Sequence, residues 1–330
     1  MAAVLSPHDD PDLERSAGVR PDAELFIVMN RGSGKNEKDE VRAAIAAELE
    51  GAGRAHRFLP VAAGGIVQAC REAARLAKEH GGILVAAGGD GTINCAAQAA
   101  LAQDCPLGVI AQGTFNLFAR QHGLPLEAAE AARALLNAQP EPVQVGWVNQ
   151  RAFLVNASVG LYPKLLADRE IAKKKLGRRR WIAMLSALKS LMEWRVRLVL
   201  DAELDGRLTQ LRTASVFVCN NPLQLQRLGV EEAVVAQLGQ GRLAGLLVRG
   251  SSAWPKLRML AAAALGRLAA EPEIESFSLR TLTVGARHAK RLKVATDGEV
   301  SWMQLPLRFT VAPRPLLLML PPPEQRLPVQ

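Results

Sequence analysis

Leu84-Val-Ala-Ala-Gly-Gly-Asp-Gly-Thr-Ile-Asn94 is the stretch that decides the fold. An apolar strand runs into Gly88, Gly89 and Gly91, with Asp90 as the only charge and Thr92 standing where a helix N-terminus would begin. Glycines take backbone angles closed to other residues and let main-chain N–H groups approach a ligand closely. A helix start adds further N–H groups and the positive end of its dipole. Strand, glycine loop and helix in this order suit a phosphate. The alternative is a tight turn with no ligand, and the neighbouring loops weigh against it.

Upstream, Glu24 to Met29 is a short continuous apolar run of the type buried on both faces of a sheet. It ends in Asn30-Arg-Gly-Ser-Gly-Lys35, a second glycine loop at the carboxyl end of a strand, where open α/β sheets place their ligands. Gly32, Ser33 and Gly34 lack the spacing of a Walker loop, so Lys35 is not assigned that lysine's role. Periodicity predicts a helix over Val41–Leu49, a strand over Ala55–Val61, a helix over Ile66–His80 and a strand over Gly82–Ala87. Downstream follow an Ala-rich helix from Ile93 to Leu101 and a strand from Pro106 to Ala111. Gln112-Gly-Thr-Phe-Asn-Leu-Phe-Ala-Arg120 then opens another helix, with Gly113, Thr114 and Asn116 as a third phosphate loop; helix capping and a turn are the plainer roles for Thr114 and Asn116. Alternating β and α elements predict an α/β domain with a mainly parallel sheet.

From about Val143 the pattern changes. Val143–Val148, Phe153–Val159, Arg195–Leu200, Thr213–Cys219 and Arg242–Val248 are short strands mostly joined without helices, which predicts an antiparallel sheet or sandwich. Helical insertions are expected at Leu176–Trp194 and Ser252–Ala270. Near the end, Arg291–Thr296 reads as a strand, Asp297-Gly-Glu299 as a turn, and the alternation from Leu305 to Val311 as a further strand. Asp-Gly between strands is common in plain hairpins. Beside three glycine loops, Asp297 and Glu299 gain a second meaning. Phosphoryl transfer needs carboxylates to orient Mg²⁺ or to accept the proton of the attacking hydroxyl. Asp90 and Asp297 are the economical candidates, with Asp90 the one to meet a Mg²⁺. None of the five histidines falls in these loops, and no nucleophile–base arrangement suggests covalent catalysis.

The 330 residues, 49% hydrophobic, suffice for two domains. No uncharged apolar run approaches the ~20 residues needed to span a bilayer. Residues 1–23 hold two arginines and five acids, lack the features of a signal peptide and are expected to form a disordered tail. Cys70, Cys95, Cys105 and Cys219 sit in apolar surroundings without metal-ligand spacing, as expected of reduced thiols in a cytoplasmic protein. The net charge of +9 is concentrated between Lys164 and Arg180, where eight basic residues meet two acids. Such a run is either a solvated face or, beside the apolar stretch after Trp181, a contact for an anionic membrane surface. Nucleic acid is disfavoured, because 4% aromatics offer bases little to stack on.

At these residues the chain resembles the bacterial diacylglycerol kinase-like lipid kinases, relatives of sphingosine and ceramide kinases. The shared motifs are Asn30-Arg-Gly-Ser-Gly34, Gly88-Gly-Asp-Gly-Thr92 with Asn94, Gly113-Thr-Phe-Asn116 with Ala119, and Asp297-Gly-Glu299. The resemblance implies an NAD kinase-like nucleotide-binding domain over 24–142 that takes ATP through these loops, and a lipid-binding β-sandwich over 143–303. It also implies a return segment, 304–320, packing on the first domain, ahead of a loose tail over 321–330. It implies ATP and Mg²⁺ as cofactors, a lipid substrate, and a cytoplasmic protein at the inner face of the membrane; a homodimer is compatible with it. Asp297 matches the general base of this family, whereas in the sphingosine kinase branch the aspartate matching Asp90 takes that role. Three stretches depart from the family: Gln240-Gly-Arg-Leu-Ala244 replaces Asp-Gly-x-Leu-Asp, which helps hold a structural Mg²⁺ in some members. Val61-Ala-Ala-Gly-Gly65 lacks a nucleotide-contacting threonine, and Val300 replaces a proline.

Overall fold

The computed structural model describes residues 19–30, 35–62, 64–160, 198–249, 271–272, 274–286 and 289–329. Gly32, Ser33 and Gly34, the basic run from Lys164 to Arg180, both expected helical insertions and most of the N-terminal tail lie outside the described residues. The chain divides into two compact units, Met1–Gln144 with Pro313–Gln330, and Val145–Ala312.

In the first unit the strands are β1 (Leu25–Met29), β2 (His56–Leu59), β3 (Ile83–Gly88), β4 (Leu107–Ala111) and β5 (Gln139–Val143). Its helices are α1 (Lys35–Gly51), α2 (Ile66–His80), α3 (Asp90–Gln103), α4 (Leu117–Gln121) and α5 (Ala128–Leu136). The sheet runs in the order β2-β1-β3-β4, then Leu316–Leu320 from the far end of the chain, then β5. Every neighbouring pair is parallel except the last, where β5 is antiparallel. All six β3 residues are buried, which explains the unbroken apolar run: helices cover both faces of such a strand. On one face Ile27, Val85 and Ile110 pack with Ile45 and Leu49 of α1 and Ala131, Ala132 and Leu135 of α5. On α2, the buried stripe of Ala69, Cys70, Ala73, Ala74 and Ala77 is made of small residues that allow close packing.

Register sets up the site. Met29 lies opposite Ala87, and Gly88 opposite Ala111, so β1, β3 and β4 end side by side and their loops leave the same edge. At these loops two boundaries differ from expectation. Helix α3 starts at Asp90, with Gly89 as its N-cap, so Asp90 belongs to the first helical turn. Helix α4 starts only at Leu117, because residues 113–115 are spent on the loop.

The second unit contains β6 (Gly146–Val148), β7 (Arg151–Phe153), β8 (Asn156–Gly160), β9 (Leu198–Leu204), β10 (Arg207–Cys219), α6 (Pro222–Arg227) and α7 (Glu232–Val235). It continues with β11 (Leu243–Arg249), β12 (Ile274–Leu279), β13 (Leu282–Gly285), β14 (Arg291–Thr296), β15 (Glu299–Gln304) and β16 (Leu307–Val311). The sheet order is β15-β14-β8-β10-β9-β13-β16-β6-β7, with β11 and β12 branching from β10, and all pairs are antiparallel. Val148, Phe153, Val159, Val216, Leu282 and Phe309 form its main core. The strand expected over Val143–Val148 is two strands in different units. That expected over Phe153–Val159 breaks at Leu154 and Val155, whose N–H groups turn away to a side-chain partner described below.

Leu316–Leu320 is β17, the element that returns to the first unit; Leu307–Val311 stays in the second. Nor is the C-terminal stretch loose over its described residues: Arg326 pairs with Glu141 and donates to the Pro321 carbonyl at 2.8 Å, and the Leu327 N–H donates to the Gly123 carbonyl at 2.8 Å.

Candidate active site

Two glycine loops of the first unit meet backbone to backbone. A Cβ on Gly113 would fall 2.7 Å from Asn116 Oδ1 and 3.1 Å from the Gly89 Cα, and one on Gly88 would fall 2.8 Å from Thr92 Oγ1. Glycine is therefore required at 113 and 88 by space. The Gln112 N–H donates to the Gly88 carbonyl at 2.8 Å and extends the β3–β4 pairing into the loops. Asn116, at φ 50°, closes a ring with its own loop: Oδ1 accepts the Gly113 N–H at 2.8 Å, and Nδ2 donates to the Gly113 carbonyl at 3.0 Å. Its turn role is thus realised, while Thr114 and Phe115 stand exposed. Asn30 closes β1 by donating its N–H to the Ala87 carbonyl at 3.3 Å, one residue short of the glycines. Thr92 is buried against Gly88, and Asn94 is buried with its Oδ1 accepting from Gln98 Nε2 at 2.8 Å, so both side chains serve the packing of α3.

Asp90 ties the loops together by accepting N–H groups from Asn116 and Leu117. Burial pushes its carboxyl above the ordinary carboxylate range against the pull of those donors. Its Oδ1 is nevertheless buried with no hydrogen-bond partner, and so is Gln112 Nε2. Buried polar atoms in folded proteins are nearly always paired; seven other buried side-chain atoms among the described residues also lack a partner, and what sets these two apart is their place at the touching glycine loops. Among the described residues no group of three or more His, Cys, Asp or Glu could hold a metal.

In the second unit, Asp297 and Gly298 turn β14 into β15, both at positive φ, 47° and 88°. Asp297 Oδ2 accepts the Leu154 N–H at 2.7 Å, and Oδ1 accepts those of Val155 and Asn156 at 2.9 and 3.0 Å. Sequence reasoning had no access to these amides, which are 141 to 143 positions away. Burial pushes the Cys219 thiol up to about 12, and the nearby Asp297 carboxylate adds to the shift. Glu299 is paired with Arg151 at 2.8 Å. The turn device recurs in this unit: Asp205, before Gly206, accepts the Arg280 and Thr281 N–H groups at 2.8 Å each. Asn149 accepts the Arg308 N–H at 2.8 Å and donates to the Gln304 carbonyl at 3.1 Å. None of the four cysteines forms a disulfide.

A mainly parallel sheet whose glycine loops converge on a half-buried acid, followed by an all-antiparallel unit, defines an α/β protein with an appended β domain. Residues 24–148 match the diacylglycerol kinase catalytic domain, and residues 166–320 match the YegS C-terminal NAD kinase beta sandwich-like domain. The chain belongs to the diacylglycerol kinase-like family. It is 39% identical over 161 residues to a Pseudomonas aeruginosa (strain UCBPP-PA14) protein named "Probable lipid kinase YegS-like", covering 46% of this chain and 50% of that relative. It is 34% identical over 146 residues to the diacylglycerol kinase of Bacillus subtilis (strain 168), covering 43% and 47%. These matches span about half the length of each relative. The crystal structure of a diacylglycerol kinase from Bacillus anthracis superposes with a TM-score of 0.65 at 21% identity, over 91% of this chain and 98% of that one, and so shares the fold.

Proposed function

We propose that the chain is a kinase that uses ATP and Mg²⁺ to phosphorylate a hydroxyl group of a lipid of the diacylglycerol type. The observation that carries this reading is the orphaned carboxylate oxygen of Asp90 where two side-chain-free glycine loops touch. That arrangement fits a magnesium–polyphosphate group: Gly88, Gly89 and Gly113 let the two loops close on one another, the first turn of α3 presents amides, and Asp90 would hold the cation. Mg²⁺, when bound, neutralises charge on the β- and γ-phosphates. Asp297, its carboxylate fixed by three amides, is assigned as acceptor of the hydroxyl proton as the oxygen–phosphorus bond forms and ADP leaves. Asn30, Thr92, Asn94, Asn116 and Glu299 act by shaping these loops and turns, and Thr114, exposed in its loop, would donate to a phosphate.

The test is incubation of the purified chain with labelled ATP, Mg²⁺ and a panel of diacylglycerol, phosphatidylglycerol and sphingoid bases, with NAD in parallel. Label in a lipid product is expected. Label in NAD alone would assign a soluble acceptor, and nucleotide binding without transfer to any acceptor would leave a binding protein.

A further inference from the structure

The hairpin β14–β15 carries an unusual outer face at one end of the second unit's strand order. β15 is the terminal strand in the sheet order. Lys293 lies opposite Trp302, and Arg291 opposite Gln304, so by strand alternation Arg291, Lys293, Ala295, Val300, Trp302 and Gln304 share one face. Trp302 is 56% exposed. The Arg291 guanidinium lies 4.7 Å from the Trp302 ring centroid and the Lys293 ammonium 5.5 Å from it. Lys290, also exposed, precedes them in sequence. Among the described residues of the hairpin no acid occupies this face: Asp297 and Glu299 sit at the opposite end, engaged by the Leu154–Asn156 amides and by Arg151.

We infer that this face docks the protein on an anionic lipid surface. An indole prefers the level of lipid headgroups, where its apolar body is buried and its N–H stays wet. Basic residues around it supply the attraction to negatively charged lipid, roughly fivefold in binding for each one near the surface. The existing cation–π contacts hold Arg291 and Lys293 against the ring, so the cations need not be ordered anew on docking. Charge complementarity selects the occupant, since two cations on this face without an acid of the hairpin beside them oppose a neutral or basic partner. The inference rests on the lipid kinase reading for its purpose, but not for its measurement.

The experiment uses the intact chain with vesicles of phosphatidylcholine alone or with about one-third phosphatidylglycerol, read by co-sedimentation at low and physiological salt. Wild type is expected to bind the anionic vesicles and to release as salt rises. Arg291→Glu with Lys293→Glu should reduce that binding at least about tenfold, and Trp302→Ala should weaken it with little change in salt dependence. Both variants should keep nucleotide affinity and turnover of a short-chain acceptor dissolved as monomers. Undiminished binding by both variants, or no anionic preference in wild type, overturns the inference. Binding lost in the variants, with no lipid phosphorylated by wild type, supports the docking face and overturns the kinase reading instead.

Discussion

Asp297 shows how much a residue's neighbours add to its type. At position 149 one acceptor and one donor are needed, and asparagine supplies both. At 297 three N–H groups converge and only acceptors serve, so a carboxylate is required. Asp297→Asn must turn its NH₂ toward at least one of those donors, at a cost of about 1–3 kcal/mol. The expected outcome is a lower melting temperature together with a fall in kcat of roughly 10²–10⁴-fold at nearly constant nucleotide affinity. A loss of stability with kcat unchanged would leave Asp297 as a turn residue like Asp205. Asp90 behaves oppositely. Burial makes the folded state hold its proton more tightly than the unfolded chain does. The cost of the charge is therefore absent below the unfolded value of about 4 and fully present once pH has risen through the folded value. Asp90→Asn should melt higher than wild type near neutral pH, with the gain shrinking toward zero as pH falls to about 4, and should weaken Mg²⁺–ATP binding and turnover together. Thermal scans across pH and nucleotide titrations check both halves. Gly113→Ala, which drives a Cβ into Asn116 and Gly89, should cost about 10²-fold in turnover through displaced loops. The glycines and Asp90 were legible because a strand, a glycine pair and a helix start are written in adjacent residues. The amides that hold Asp297 carry no side-chain signature, and nothing local marks them.

Elements were legible where their burial is local. The helix Ile66–His80 and the strand Arg291–Thr296 appear as their periodicity predicts. Breaks imposed from a distance were not: β7 and β8 are separated by the demand of Asp297, and β5 and β6 by passage from one unit to the other. β5 is a Gln-Pro-Glu-Pro-Val strand, which propensity argues against; it survives because it lies at the sheet edge, where proline's missing N–H costs no ladder bond. β17 did carry a signal, five consecutive apolar residues between Pro315 and Pro321, all of them buried. It stands between β4 and β5 and supplies both with partners. A chain ending after Ala312 should therefore fail to fold its first unit, and circular dichroism with nucleotide titration should show helix lost and binding abolished. Retained nucleotide affinity would show β17 to be dispensable.

At the scale of the whole molecule, each unit has its own hydrophobic core, so calorimetry should resolve two unfolding transitions. A non-hydrolysable ATP analogue with Mg²⁺ at 100 times its Kd should stabilise the transition that Gly113→Ala lowers by about 2.7 kcal/mol. A shift confined to the transition that Asp297→Asn lowers would place the nucleotide in the wrong unit. The two-unit division was legible in the change from alternating to all-β patterning; the resemblance implied a return segment over 304–320, and the strand exchanged is Leu316–Leu320, with Leu307–Val311 kept in the second unit. That exchange has a consequence in time. β17 emerges from the ribosome only after the whole of Val145–Ala312 has been made, so at typical synthesis rates β4 waits on the order of 10–40 s for its neighbour. Throughout that interval an apolar strand shows an open edge. Newly made chains thus pass through a long adhesive stage whose length is set by translation speed, and the yield of active protein depends on what shields that edge until the last strand arrives.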